Sequence, residues 1–262
     1  MAWTDAFNYL RGVAARHGVG DSTRPVDTDL PLGARIGSVL AMQQSGLIRA
    51  NGSGSLIRLP DEGDKRIVAV SQIKLNMAGG LYRYYVDKGD DDAREKFLQL
   101  YQSPQGEVAE IMYCTQLARV IPETVEDQEA YMGVAGAGLG DRSYTLWRSQ
   151  LGDYGLDQAD LDLVFGEGEG VDYWRDAGDP DTPFVQPFAG TETRLDDASG
   201  QFGLRQDMYF MPYVRELSSG VKEYLLITTE VINSVNGDAS KRGIHVDFVI
   251  GIPVERERIV IQ

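Results

Sequence analysis

The stretch GLYRYYVDKGDDDAREKFLQLYQ, Gly80 to Gln102, decides the fold. Its first half has a clear period of two: Leu81, Arg83 and Tyr85 share one face, and Tyr82, Tyr84 and Val86 share the other. Its second half can be written two ways. As a helix, DDAREKFLQLYQ sets Ala93, Phe97, Leu100 and Tyr101 along one side. As a charged turn followed by a strand, the same residues complete a hairpin. A second stretch settles the choice. YFMPYVRELSSGVKEYLLIT, Tyr209 to Thr228, repeats the order of aromatic strand, charged turn, then Phe or Tyr among apolar residues, and its tail is plainly strand-like. The echo assigns 80–102 to a hairpin and raises an internal duplication.

Outward from this hairpin the strand signal continues. RIVAVSQIKL (66–75), EVAEIMYCTQLARVIP (107–122), SYTLWRSQL (143–151), TPFVQPFAGTETRL (182–195), KEYLLITTEVI (222–232), IHVDFVIGI (244–252) and VERERIVIQ (254–262) are strand candidates. Helical signals are fewer. Trp3, Ala6, Phe7, Leu10, Val13 and Ala14 recur at helical spacing over 3–16. ETVEDQEAYM reads as a short acidic helix near 124–132, with Thr124 as N-cap and Asp127 at the capping-box position. These elements predict an α+β fold, predominantly antiparallel β-sheet with an N-terminal helix and that short acidic helix. The expected organisation is an N-terminal helix and linker (1–30), a β-rich first half (31–151), an acidic linker or lid (152–182), and a β-rich second half (183–262) packing with the first as one domain.

Charge narrows the function classes. The chain has 262 residues and a net charge of −15. Residues 151–182 hold ten acids against Arg175 alone, a sum of −9. Such a chain is a poor partner for nucleic acid, which needs a basic face. No apolar run approaches the roughly 20 residues that cross a bilayer, so no direct membrane insertion is expected. The N-terminus reads as no secretory signal, and the single cysteine, Cys114, leaves no internal disulfide. The expected location is the cytoplasm.

YMGVAGAGLGDRSYTLW (131–147) carries Gly133, Gly136, Gly138 and Gly140. Their spacing is not the dinucleotide fingerprint, and no lysine stands where a Walker loop needs one. The run reads as a turn between helix and strand, with no cofactor expected. His17 sits past the first helix. His245 and Asp247 share a strand face, but no G-x-S-x-G elbow supplies a serine, and Cys114 lies in an apolar strand where burial is expected. Catalytic residues are therefore not assignable. Glu167, Glu169 and Asp172 in GEGEGVD offer carboxylates to Ca2+ as an alternative reading, without the EF-hand order. Tyr82, Tyr84, Tyr85, Trp147, Tyr209 and Tyr213 divide between core and a binding face.

The segments LPLGARIGS, GLYRYYVD, KFLQLY, EVAEIMYCTQLARVIPET and MYFMPYVREL…KEYLLITTE resemble the YjfK-like family, a bacterial domain of unknown function. The resemblance implies no reaction and transfers no site residue. It implies an accessory role beside membrane-stress proteins of the phage-shock type, with a protein partner that is itself membrane-associated. The sequence thus supports a β-rich accessory or protein-interaction module. The alternatives are a ligand-binding domain or enzyme using carboxylates and tyrosines, and a divalent-cation-binding protein using 152–181.

Overall fold

The computed structural model describes residues 27–87, 94–200, 203–232 and 243–262, so the expected helix at 3–16 and His17 lie outside the described residues. The strands are β1 (Val39–Met42), β2 (Lys65–Leu75), β3 (Gly80–Val86), β4 (Lys96–Gln102), β5 (Val108–Val120), β6 (Ser143–Trp147), β7 (Gly170–Arg175), β8 (Phe188–Leu195), β9 (Gly203–Glu216), β10 (Lys222–Ile232), β11 (Gly243–Pro253) and β12 (Ile259–Ile261). The described helices are short: α1 (Ser45–Asn51), α2 (Val125–Met132), α3 (Arg148–Asp153) and α4 (Gln158–Phe165). The 80–102 stretch is a hairpin, with Leu81 opposite Tyr101 and Tyr85 opposite Phe97.

The α+β expectation is corrected. Of the described residues 47% are strand and 16% helical, and the sheet closes into an antiparallel barrel of 8 strands. Around the barrel the order is β2-β3-β4-β5-β11-β10-β9-β8, and β8 returns to pair with β2. Two four-strand meanders, β2–β5 and β8–β11, make the wall. They join last strand to last strand, Val249 opposite Gln116, and first to first, Ile73 opposite Glu192. The two echoing sequences occupy equivalent places in them, β3–β4 and β9–β10. Closure removes the edges that an open sheet would present. It was hidden from the sequence because alternation along a strand is the same in an open sheet and a barrel.

Alternation gives the wall two apolar faces. One set, including Ala69, Ile73, Leu81, Tyr85, Phe97, Met112, Cys114, Met208, Phe210, Leu226 and Val249, faces the barrel interior. The other, including Tyr84, Leu98, Tyr113, Met211, Tyr213, Leu225, Ile227 and Phe248, packs outward under a second layer. That layer is the 27–60 segment with α1, together with α4 and the antiparallel β6–β7 pair. The Tyr84 hydroxyl donates to the Pro31 carbonyl at 2.7 Å. Glu223, on the outer side of β10 and fully buried, accepts from the Leu56 amide (2.8 Å), Tyr173 (2.6 Å), Arg215 (2.7 Å) and the Ser55 hydroxyl. A buried carboxylate with that many donors is satisfied, and it pins the outer layer to the wall.

The remaining elements extend from the barrel. Thr124 caps α2 by accepting from the Asp127 amide. Within the acidic stretch, α4 buries Leu161 and Phe165, Arg148 pairs with Asp162, and β7 pairs with β6 on one side and β9 on the other. At the C-terminus, β12 pairs with β1, Leu40 opposite Ile261 and Met42 opposite Ile259.

Candidate ligand-binding site

The inward side chains change character along the barrel axis. Toward one mouth they are apolar: Leu81, Tyr101, Met112, Phe188, Phe210, Tyr224 and Leu226. Toward the other they are charged: Glu95, Arg119, Glu192, Arg194, Glu230 and Asp247. Arg83 stands between, 2% exposed, and spans the interior. Its guanidinium donates to Gln99 Oε1 (3.1 Å) on the neighbouring strand and to Thr228 Oγ1 (3.1 Å) across the barrel, and it lies over the Phe97 ring. Strands β3 and β10 are not neighbours, so that second bond crosses the interior.

The charged half is densely paired. Asp247 accepts from Arg119 Nε (2.6 Å) and from Gln116 Nε2 (3.0 Å). Glu192 accepts from Tyr85 (3.3 Å) and Gln206 (2.8 Å). Arg194 donates to Glu95 (2.9 Å) and stacks over Tyr85. Glu230 is the least compensated acid: Arg119 is 3.6 Å away, and burial followed by the Asp247 charge pushes its pKa up to about 8.

The apolar half is open. A cavity of about 450 Å³ lies in this mouth, bounded by Met77, Leu81, Tyr101, Met112, Phe188, Phe210, Tyr224 and Leu226, with Gln99 at its floor. Its rim carries two carboxylates, Glu110 and Asp176. Glu110 stands opposite Tyr101 in the β4–β5 register. Asp176 leaves β7 and is held over β9 by its amide, which donates to the Pro212 carbonyl at 2.9 Å. Tyr224 sits between them: burial, then Asp176, then Glu110 push its hydroxyl up to about 12. The Tyr101 hydroxyl donates to the Ala78 carbonyl (3.0 Å), which draws the β2–β3 turn and Met77 over the mouth. Gly79 makes that approach possible. At φ +86, a Cβ there would collide with the Gln102 carbonyl and the Tyr101 ring.

A family model described as "Protein of unknown function (DUF2491)" matches residues 16–259, nearly the whole chain. The chain belongs to the DUF2491 family. No curated protein and no solved structure matches it. The DUF2491 description carries no activity, so chemistry must be argued from the site.

In this DUF2491 chain the residues singled out in the sequence are scattered. Tyr84, Tyr85 and Tyr213 are buried, Tyr82 and Tyr209 are half-buried, and Trp147 is exposed. Cys114 is buried inside the barrel, where burial raises its pKa to about 12. His245 Nδ1 has no hydrogen-bond partner, while Asp247 is committed to Arg119 and Gln116, so the two form no catalytic couple. The glycine run uses its own amides: Gly138 N donates to Asp141, Leu139 N to the Ala130 carbonyl, and Gly140 N to the Tyr213 hydroxyl. Glu167 and Glu169 lie between α4 and β7, and Asp172 accepts from Thr145 on the outward side of β7. Among the described residues, no group of three or more His, Cys, Asp or Glu side chains is placed to hold a metal ion. No described helix is long and apolar enough to cross a membrane.

The site residues that sequence reasoning missed are Tyr101, Glu110, Asp176 and Tyr224. Three belong to strands whose inward face is legible by alternation: Phe97, Gln99, Tyr101; Glu110, Met112, Cys114; Tyr224, Leu226, Thr228. Asp176 follows a strand and carries no such signal.

Proposed function

We propose that this protein binds a small molecule with an apolar body in the open barrel mouth. The reading with carboxylates and tyrosines at the site is the one that the geometry supports best. The observation that carries it is the cavity of about 450 Å³, walled by apolar side chains and ringed by Tyr101, Glu110, Asp176 and Tyr224. That combination of apolar wall and few polar groups is what small-molecule sites need. An eight-stranded barrel has room for side chains or for one small ligand, and here the side chains fill only the charged half. A larger hollow of about 560 Å³ lies between α4 and the outside of the wall. Its charges are mixed, and Lys96 there already lies 3.7 Å from Asp61.

The test is titration with the neutral apolar probe N-phenyl-1-naphthylamine. Saturable one-to-one fluorescence enhancement is expected for the wild type, and its loss in Met112→Trp and Leu226→Trp, which fill the cavity. Enhancement that is absent, or unchanged in folded cavity-filling variants, overturns the reading.

A second reading follows the YjfK-like resemblance: an accessory module that docks a protein partner, in a membrane-stress setting. Trp147 and Trp174 favour it. Both are about half exposed, at 51% and 55%, on the solvent side of the β6–β7 pair at the end of the sheet. Exposed tryptophans of that kind are enriched at interfaces. A partner recovered from native lysate by the wild type and lost by the Trp147→Ser/Trp174→Ser variant supports this reading; identical recovery by both sinks it.

A further inference from the structure

We propose that the molecule seated in the barrel mouth is a cationic amphiphile, an alkyl chain carrying an ammonium head, with the head at the rim and the chain directed toward Gln99. This rests on the mouth being a ligand site, and adds the sign of the ligand's charge.

Three observations carry it. The first is the composition of the lining: its charged side chains are Glu110 and Asp176, and it contains no Lys, Arg or His. The second is their placement. Glu110 comes from β5 and Asp176 from the segment after β7, so two separate elements bring a carboxylate to one opening, and both act on the Tyr224 hydroxyl between them. A cation seated at the opening is attracted by both carboxylates at once. The third is the aromatic setting. Tyr101 and Tyr224 flank the same opening, and tyrosine rings attract an ammonium through their faces.

The floor supplies no counter-argument. Arg83, the cation beneath Gln99, is not part of the lining. Its guanidinium is engaged by Gln99 and Thr228, and the Glu192 carboxylate lies close enough to act on it. An anionic head would therefore meet two rim carboxylates on entry and no free cation at the floor. The apolar wall of Leu81, Phe210 and Leu226 accounts for the chain, and the rim accounts for the head. The chain's net charge of −15 adds to the field that concentrates cations at its surface.

The experiment is calorimetric titration of the full chain with decyltrimethylammonium, 1-decanol and decanoate, each below its solubility and micelle limits. The expected order is ammonium tightest by roughly tenfold over the alcohol, with decanoate weakest. In Glu110→Gln/Asp176→Asn the ammonium's advantage should vanish, while the alcohol binds as before. Raising salt should weaken the ammonium alone. Equal affinity for ammonium and alcohol, or tightest binding of decanoate, overturns the charge assignment and leaves the mouth a ligand site. Binding of none of the three overturns both.

Discussion

At the scale of single residues, two positions show how local chemistry is overridden by surroundings. Glu230 is an ordinary strand glutamate in sequence. In the barrel it loses water, faces Asp247, and has Arg119 as a distant partner at 3.6 Å, so its folded pKa lies near 8 against an ordinary 4.5. Between those values the folded chain holds a proton that the unfolded chain has released. Stability from this group is therefore fully present below the unfolded value and lost as pH rises through the folded one. Glu230→Gln should match the wild type near pH 5 and melt higher near pH 9; a difference that does not change with pH would refute this. The second position is Gly138, at φ +89, where an added Cβ would collide with the Ala130 backbone. Gly136 also has a positive φ, +74, but nothing within 4 Å of such a Cβ. Gly138→Ala should cost about 2–3 kcal/mol and Gly136→Ala only about 1 kcal/mol, read from urea midpoints. Equal costs would show that strain alone, and not the packing of the turn on α2, explains the run.

At the scale of elements, the C-terminal strand is where sequence and structure meet most closely. GIPVERERIVIQ turns apolar after Arg258, and Ile259–Ile261 pairs with β1. That pair lies beyond the eight closed strands, since β1 joins only the first residues of β2. Deleting residues 258–262 should therefore uncover β1 and the buried Ile259, and lower the melting temperature, while the barrel still unfolds in one cooperative step. An unchanged melting temperature by circular dichroism would show that the pairing contributes nothing. The acidic stretch is the opposite case. Its charges suggest a solvated linker or lid, but Leu161 and Phe165 recur at helical spacing, and Asp157 caps the helix they form by accepting from the Asp160 amide. The acids stay on its outer side. Net charge over a window says little about whether the window also holds an apolar stripe.

At the scale of the whole molecule, Arg83 ties one wall of the barrel to the opposite one. Removing a buried charge that balances others costs about 3–5 kcal/mol, because the partners are left uncompensated. Arg83→Leu should lose that much in urea unfolding at neutral pH, well beyond the loss of one methylene-sized contact; a loss under about 1 kcal/mol would show that Glu192 finds other partners. The sequence by itself determined most of the barrel strands, the 80–102 hairpin, the capped helix at 125–132 and the face that Leu81, Arg83 and Tyr85 share. Each depends on neighbours within a few residues, through alternation, capping and turn chemistry. It assigned no strand at β1 or β7, and it extended the 143–151 strand over residues that form α3. Only the tertiary structure decided that the sheet closes and that one half of its interior is charged and the other hollow. It also decided that Tyr101, Glu110, Asp176 and Tyr224 meet at one mouth. Those facts depend on which strand pairs with which, β2 with β8 and β5 with β11, across long separations in the chain. A strand carries the same alternation whatever its partner, so the residues that make the site were visible singly and their meeting was not.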